Sequence, residues 1–247
     1  MVEINKVIIE CNNFLKDSNI TYAICGGFAL ELFLNRKLRS HGDIDTTVFT
    51  EDKQKIIEFI LNKGWNIYEH KYDWIDHKVV NKYLRSITNT NDEHIPNLWQ
   101  LWAIKPNCSF FVIEPQSGIE NAFDYKITNT EQLNFDFFDI TFNEQKDGHF
   151  IIDSFSSQKK NIARELNKAI LYNDGIPYLA PEIILLIISH PEYLKSDYHR
   201  EKNISDFTST IPFLPKDSKE WLVTALETAY PEGLERLEQL KNGEWQR

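Results

Sequence analysis

A chain of 247 residues with 42% hydrophobic and 26% charged residues can bury a sizeable core and lacks the hydrophobic depletion of a disordered chain. Its net charge of -10, with no cluster of Lys and Arg, argues against a nucleic-acid partner, because a phosphate backbone would be repelled. Cys11, Cys25 and Cys108 are odd in number and far apart, so neither a disulfide framework nor a zinc site is expected and a cytoplasmic setting fits. The longest apolar run, Ile183 to Ile188, is far short of the roughly 18 residues of a membrane span, so no membrane partner is expected.

From the N-terminus, Ile4, Val7, Ile8, Cys11, Phe14 and Leu15 recur at helical spacing among charges, which predicts an amphipathic helix. Thr21 to Cys25 reads as a strand, Gly26-Gly27 as a tight turn, and the apolar pattern through Leu34 as a helix. Ile44 to Phe49 reads as a second strand. Thr50 is placed to cap a helix that ends at Gly64, and a third strand follows at Trp65 to Tyr68. Trp99 to Ile104, Phe110 to Glu114, Phe135 to Phe142 and His149 to Ile152 have strand composition, with a turn at Gln145 to Gly148. After Pro177 the pattern becomes helical around Pro181 to Ser189, Ser196 to Thr208, Asp217 to Ala229 and Glu232 to Leu240. The fold class is therefore α+β, with residues 1–176 forming a mixed sheet flanked by helices and 177–247 a helical C-terminal domain.

The chemistry centres on Asp43-Ile44-Asp45. Residues i and i+2 of a strand share a face, so the two carboxylates converge while Ile44 points into the core. Oxygen-only ligands suit a hard cation such as Mg²⁺ shared with substrate phosphates. An Asp-x-Asp triplet alone is most often a solvated strand end, and a Gly-Gly pair alone is most often a turn. Joined in strand-turn-helix-strand order they become specific, because glycines let phosphate oxygens approach the backbone beside a helix N-terminus. His41, next to these carboxylates, fits either a phosphate contact or an orienting role at the strand end, and is not read as catalytic. Trp65, Trp74, Trp99 and Trp102 are read as core rather than as base-stacking groups.

Gly26-Gly27-Phe28-Ala29, then Arg39, His41 and Asp43-Ile44-Asp45, resemble the signature of aminoglycoside and lincosamide nucleotidyltransferases, in the DNA polymerase beta superfamily. Asp174 to Leu186 is similar to the segment that opens their helical part, and Lys202 to Phe207 to their Lys-Asp-x-x-Asp-Phe helix. Two departures stand out. Asn203 replaces an aspartate, and the paired arginines expected just after the strand near Phe150 are absent, with Ile152-Asp-Ser-Phe155 in their place.

The resemblance implies a nucleotidyltransferase fold and transfer of a nucleoside monophosphate from ATP, or another nucleoside triphosphate, to a hydroxyl of a small acceptor such as a cationic antibiotic. It implies two Mg²⁺ ions on Asp43, Asp45 and a third carboxylate. Asp136 and Asp139 compete for that third place, and Asp139 fits better because it lies inside a strand pattern; it would act as metal ligand, general base or both. Gly26, Gly27, Arg39 and Lys202 are the expected nucleotide-binding residues, with salt-bridge roles open for Arg39 and Lys202. A homodimer is compatible with the sequence. The other readings are modification of a protein or RNA and a non-catalytic nucleotide-binding scaffold.

Overall fold

The computed structural model describes residues 4–75, 78–118, 120–129, 131, 134–152, 162–190 and 197–242. Residues 153–155, on which the missing arginine pair was noted, and Ser196 at the start of one expected helix lie outside them. The described chain is mixed α and β and forms two compact units, one of residues 1–4, 24–39 and 144–247, the other of 5–23 and 40–143. Residues 176 and 177 both lie in a strand, Ile176–Leu179.

In the unit of residues 5–23 and 40–143, α1 (Lys6–Lys16) starts where the Asn5 side chain accepts a hydrogen bond from the Val7 amide at 3.1 Å, and it buries Val7, Ile8, Cys11 and Leu15. Strand β1 (Tyr22–Ile24) follows, and its Tyr22 hydroxyl donates to the Asn12 side chain at 2.8 Å. After β2 (Asp45–Phe49) comes α3 (Lys53–Asn62), numbered after α2 (Gly26–Leu34) of the other unit. Thr50 does not cap α3 as expected. It opens a short 3-10 turn, and its hydroxyl donates to the Asn143 carbonyl at 3.2 Å.

The sheet of this unit continues with β3 (Asn66–Ile75), β4 (Lys78–Ile87), β5 (Gln100–Ile104), β6 (Phe111–Pro115), β7 (Ala122–Ile127) and β8 (Phe137–Lys146). Its order is β2-β8-β5-β3-β4-β7-β6, with β2 and β8 parallel and the other pairs antiparallel. The sequence did not give β4 and β7, whose charged and polar positions break the apolar alternation; pairing on both sides makes them strands.

Strand alternation divides the side chains between two faces. Val48, Leu101, Ala103, Phe138 and Ile140 lie on one face, and the helices cover it: the Phe14 ring of α1 packs 5.7 Å from Phe138 and 5.1 Å from Phe59 of α3. Trp65 and Phe135 complete that aromatic group, at 4.8 Å and 5.6 Å from Phe14. The opposite face carries a second core of Tyr68, Leu84, Ile104, Phe110, Phe111 and Phe137.

In the other unit, the end of β8 turns back through Asp147-Gly148, both at positive φ, into β9 (His149–Ile152), which pairs with β10 (Ile162–Glu165). An Asp-Gly pair suits this two-residue hairpin because both central residues need φ > 0. A short helix, α4 (Leu166–Ala169), leads to β11 (Ile170–Asn173) and β12 (Ile176–Leu179), an antiparallel hairpin whose Tyr178 lies opposite Ile24 of β1 in parallel register. Helices α5 (Pro181–Ile187), α6 (Asp197–Thr210), α7 (Lys216–Ala229) and α8 (Glu235–Asn242) follow, with α2 packing on α5 and α6, and α5 on α7.

A buried ion pair ties this unit together. Arg164 of β10 donates to Glu182 of α5 at 2.6 Å, the Ser218 hydroxyl of α7 donates to the same carboxylate oxygen at 3.0 Å, and the guanidinium lies 5.1 Å above the Trp221 ring. Removing one partner of such a pair leaves an uncompensated buried charge. Arg164→Ala is therefore expected to destabilise the protein by about 3–5 kcal/mol. The double change Arg164→Met with Glu182→Leu should recover most of that loss, as measured by urea unfolding.

Candidate active site

The parallel pairing of β2 with β8 places Asp45 directly opposite Asp139. Partners in parallel strands point to the same face, so the two carboxylates are neighbours. The Asp139 amide donates to the Ile44 carbonyl at 2.9 Å, and the Thr46 hydroxyl donates to the Asp139 carbonyl at 2.7 Å. Ile44 is fully buried, as the alternation requires, while Asp45 is half-buried and Asp43, just before the strand, is exposed.

Asp139 is 7% exposed. Its Oδ2 accepts from the Gln100 side-chain amide and, at 3.0 Å, from the Trp102 indole N–H, both on β5. Its Oδ1 is buried and has no hydrogen-bond partner. Burial raises the Asp139 carboxyl well above the usual carboxylate range, the negative charges of Asp45 and then Asp43 add to the rise, and the Gln100 and Trp102 hydrogen bonds oppose it. Asp136 lies before β8 instead, where its carbonyl accepts from the Lys105 amide at 2.9 Å and its carboxylate stands 3.8 Å from the Lys105 ammonium. Of the two candidates, Asp139 shares a neighbourhood with Asp43 and Asp45.

Among the described residues, no group of three or more His, Cys, Asp or Glu side chains is drawn together closely enough to form a metal cage. The chemistry of the donors nevertheless suits a hard divalent cation. All three groups offer oxygen, two stand in register, and the unpartnered buried Oδ1 of Asp139 is an acceptor with nothing to accept from.

The remaining candidates lie on the other unit. Gly26 opens α2 at φ 58°, a left-handed conformation that costs glycine little, and Gly27 is buried behind it. Arg39 makes a two-point ion pair with the buried Asp206 of α6, Nε to Oδ1 and Nη2 to Oδ2, each at 3.3 Å. Its backbone amide donates to Glu31 of α2 at 3.2 Å. Of the two roles open to Arg39, pairing with a carboxylate is the one seen. Lys202 is half-buried on α6, between the buried Asn203 and the exposed Glu201. His41 is buried at the approach to β2.

Sequence reasoning missed Gln100 and assigned Trp102 to the core. The signal for both was weak, since each reaches Asp139 only because β5 pairs with β8, a contact 37 to 39 residues distant in the chain. Lys53, also missed, holds the approach to β5. Its ammonium donates to the Pro96 and Leu98 carbonyls at 3.1 Å and 2.6 Å and lies 5.0 Å above the Phe142 ring.

Residues 7–87 match the model of the aminoglycoside-2''-adenylyltransferase family. That stretch contains Gly26, Gly27, Arg39, Asp43 and Asp45. No curated protein matches the chain. Solved structures similar to it include lincosamide antibiotic adenylyltransferase LnuA with lincomycin bound, at 15% identity over 80% of this chain and 94% of that one, with a TM-score of 0.43. Another is ANT(2'')-Ia in complex with adenylyl-2''-tobramycin, at 12% identity over 96% of this chain and 95% of that one, TM-score 0.37. The solution structure of the antibiotic-resistance factor ANT(2'')-Ia follows at 13% identity over 96% and 88%, TM-score 0.36.

A carboxyl whose folded pKa is raised binds its proton more tightly in the fold than in the unfolded chain. Its ionisation therefore lowers stability as pH rises above about 4, the ordinary carboxylate value, toward the folded pKa. Asp139→Asn removes that cost and keeps a hydrogen-bond acceptor for Gln100 and Trp102. The metal-free variant is expected to melt higher than the unaltered protein at neutral pH, by about 2–4 °C per kcal/mol relieved. Thermal melts from pH 4 to 8 should show the gap opening as pH rises, and a variant that melts lower throughout would contradict the stated origin of the shift.

Proposed function

We propose that this chain is a Mg²⁺-dependent adenylyltransferase that moves AMP from ATP to a hydroxyl of an aminoglycoside or lincosamide antibiotic, releasing pyrophosphate. The observation that carries this reading is the register of Asp45 against Asp139, with Asp43 two residues away on the same edge, in a segment matching an antibiotic adenylyltransferase family.

In the transfer, the acceptor oxygen bonds to the α-phosphorus, the bond from that phosphorus to the bridging oxygen breaks, and pyrophosphate leaves with the electron pair. The chain must hold the triphosphate, lower its charge and accept the acceptor's proton. Asp43, Asp45 and Asp139 would hold Mg²⁺, which when bound neutralises phosphate charge and polarises the reacting phosphorus. Asp139 is the proton acceptor of the set. The hydrogen bonds on Oδ2 leave Oδ1 as the oxygen without a protein donor, turned to the cation and the acceptor's proton.

We assign Gly26 and Gly27 to the phosphate oxygens through their backbone, since neither carries a side chain to obstruct approach and the two open α2 at its N-terminus. Lys202 and Arg39 carry the positive charge we assign to the triphosphate. Arg39 contributes mainly by fixing α6, the helix bearing Lys202, through Asp206. The adenine preference rests on the family match alone.

The test is incubation with Mg²⁺, each nucleoside triphosphate and a panel of aminoglycosides and lincosamides, with pyrophosphate release and product mass as readouts. Transfer of AMP to one acceptor class is expected, and no transfer to any acceptor would remove the enzyme reading. Asp43→Asn and Asp45→Asn should each lower kcat by at least about 1000-fold, because losing a metal ligand forfeits several kcal/mol of charge stabilisation. Both variants should keep the unaltered circular dichroism spectrum; either one retaining full activity refutes the metal assignment.

A further inference from the structure

Trp102 is held by rings on several sides. His70 lies 4.0 Å from it, Phe111 is stacked at 5.0 Å, Phe137 meets it edge-on at 5.0 Å and Tyr125 at 5.2 Å. These neighbours come from β3, β6, β8 and β7, the antiparallel extension of the sheet on the carboxylates' face. Packing of that kind leaves an indole little rotational freedom, and here it directs the indole N–H to Asp139 Oδ2. Gln100, two residues earlier on the same face of β5, donates to the same oxygen.

The consequence concerns the other oxygen. With Oδ2 bonded to two donors from β5, the carboxyl plane of Asp139 is fixed and Oδ1 is the atom without a partner, while Asp45 stands opposite in register. We propose that Gln100 and Trp102 are positioning residues: they hold Asp139 oriented to share a divalent cation with Asp45, and the aromatic cluster is the mount that fixes Trp102. This inference rests on the nucleotidyltransferase reading of the same site. It assigns the sheet extension a part in the chemistry without any of its rings touching a reacting atom.

The test compares Gln100→Met, Trp102→Phe and, as a control, Tyr125→Phe, which keeps its ring against Trp102. Mn²⁺ affinity is measured by electron paramagnetic resonance with α,β-methylene-ATP present, a nucleotide that cannot transfer its AMP. Residues that orient a metal ligand typically cost 10–100-fold in affinity or activity when replaced. Gln100→Met and Trp102→Phe are thus each expected to weaken Mn²⁺ binding by about 10–100-fold and to lower kcat with little change in the acceptor KM, while Tyr125→Phe stays near the unaltered chain.

Gln100→Met keeps the side-chain length and lies outside the ring cluster, so it decides the matter if Trp102→Phe fails to fold. Mn²⁺ affinity within about threefold of the unaltered chain in the variants that fold, with only a lower Tm, would show a structural role and overturn the proposal while leaving the enzyme reading standing. Absence of Mn²⁺ binding by the unaltered chain would overturn both.

Discussion

The register of β2 against β8 is the constraint on which the rest of the candidate site depends. It sets Asp45 opposite Asp139, two carboxylates that repel. At a strand spacing of about 4.8 Å, two full charges repel by on the order of 3 kcal/mol even at an effective dielectric of 20. That is a sizeable part of the roughly 5–15 kcal/mol by which a domain is stable, so the surrounding structure must hold the pair in place. It does so with the opposite face of the same strands. Phe138 and Ile140 on β8 and Val48 on β2 are buried beneath α1 and α3, and slipping the register by one residue would turn those side chains outward and the aspartates inward.

The two faces of this sheet therefore have separate tasks. The helix-covered face provides hydrophobic burial, with the Phe14, Phe59, Trp65, Phe135 and Phe138 rings at its centre. The other face carries the carboxylates beside a second aromatic core, built where β3, β4, β7 and β6 extend the sheet. Trp102 belongs to both the second core and the hydrogen bonding of Asp139, which makes it a structural and a polar residue at once. An amphipathic ring is suited to that position, since its body packs while one edge donates.

On the other unit the signature residues acquire structural work that the motif alone does not express. Arg39 fastens the segment after α2 to α6 through the buried Asp206, the second acidic position of the Lys202 to Phe207 stretch. Asn203, where the family resemblance calls for aspartate, is buried on the same helix. Arg164, Glu182 and Ser218 join β10, α5 and α7 in the same manner. Polar residues of this unit are thus spent on holding helices as well as on any contact with substrate.

Local information in the sequence determined the α+β class, the helix from Lys6, a strand followed by a helix through Leu34, and the approximate bounds of β2, β5, β6, β8 and β9. These follow from spacing along one segment, where alternation and helical periodicity act over a few residues. The Gly26-Gly27 turn expected between that strand and the helix through Leu34 is instead the first turn of α2. Only the tertiary structure decided which later aspartate meets Asp45, that Gln100 and Trp102 bond to that aspartate, and that β4, β7, β11 and β12 are strands. The reason is physical. A strand of mixed polarity is stabilised by partners far away in sequence, and an aspartate becomes buried, raised in pKa and half-satisfied only when three strands from separate parts of the chain pair around it.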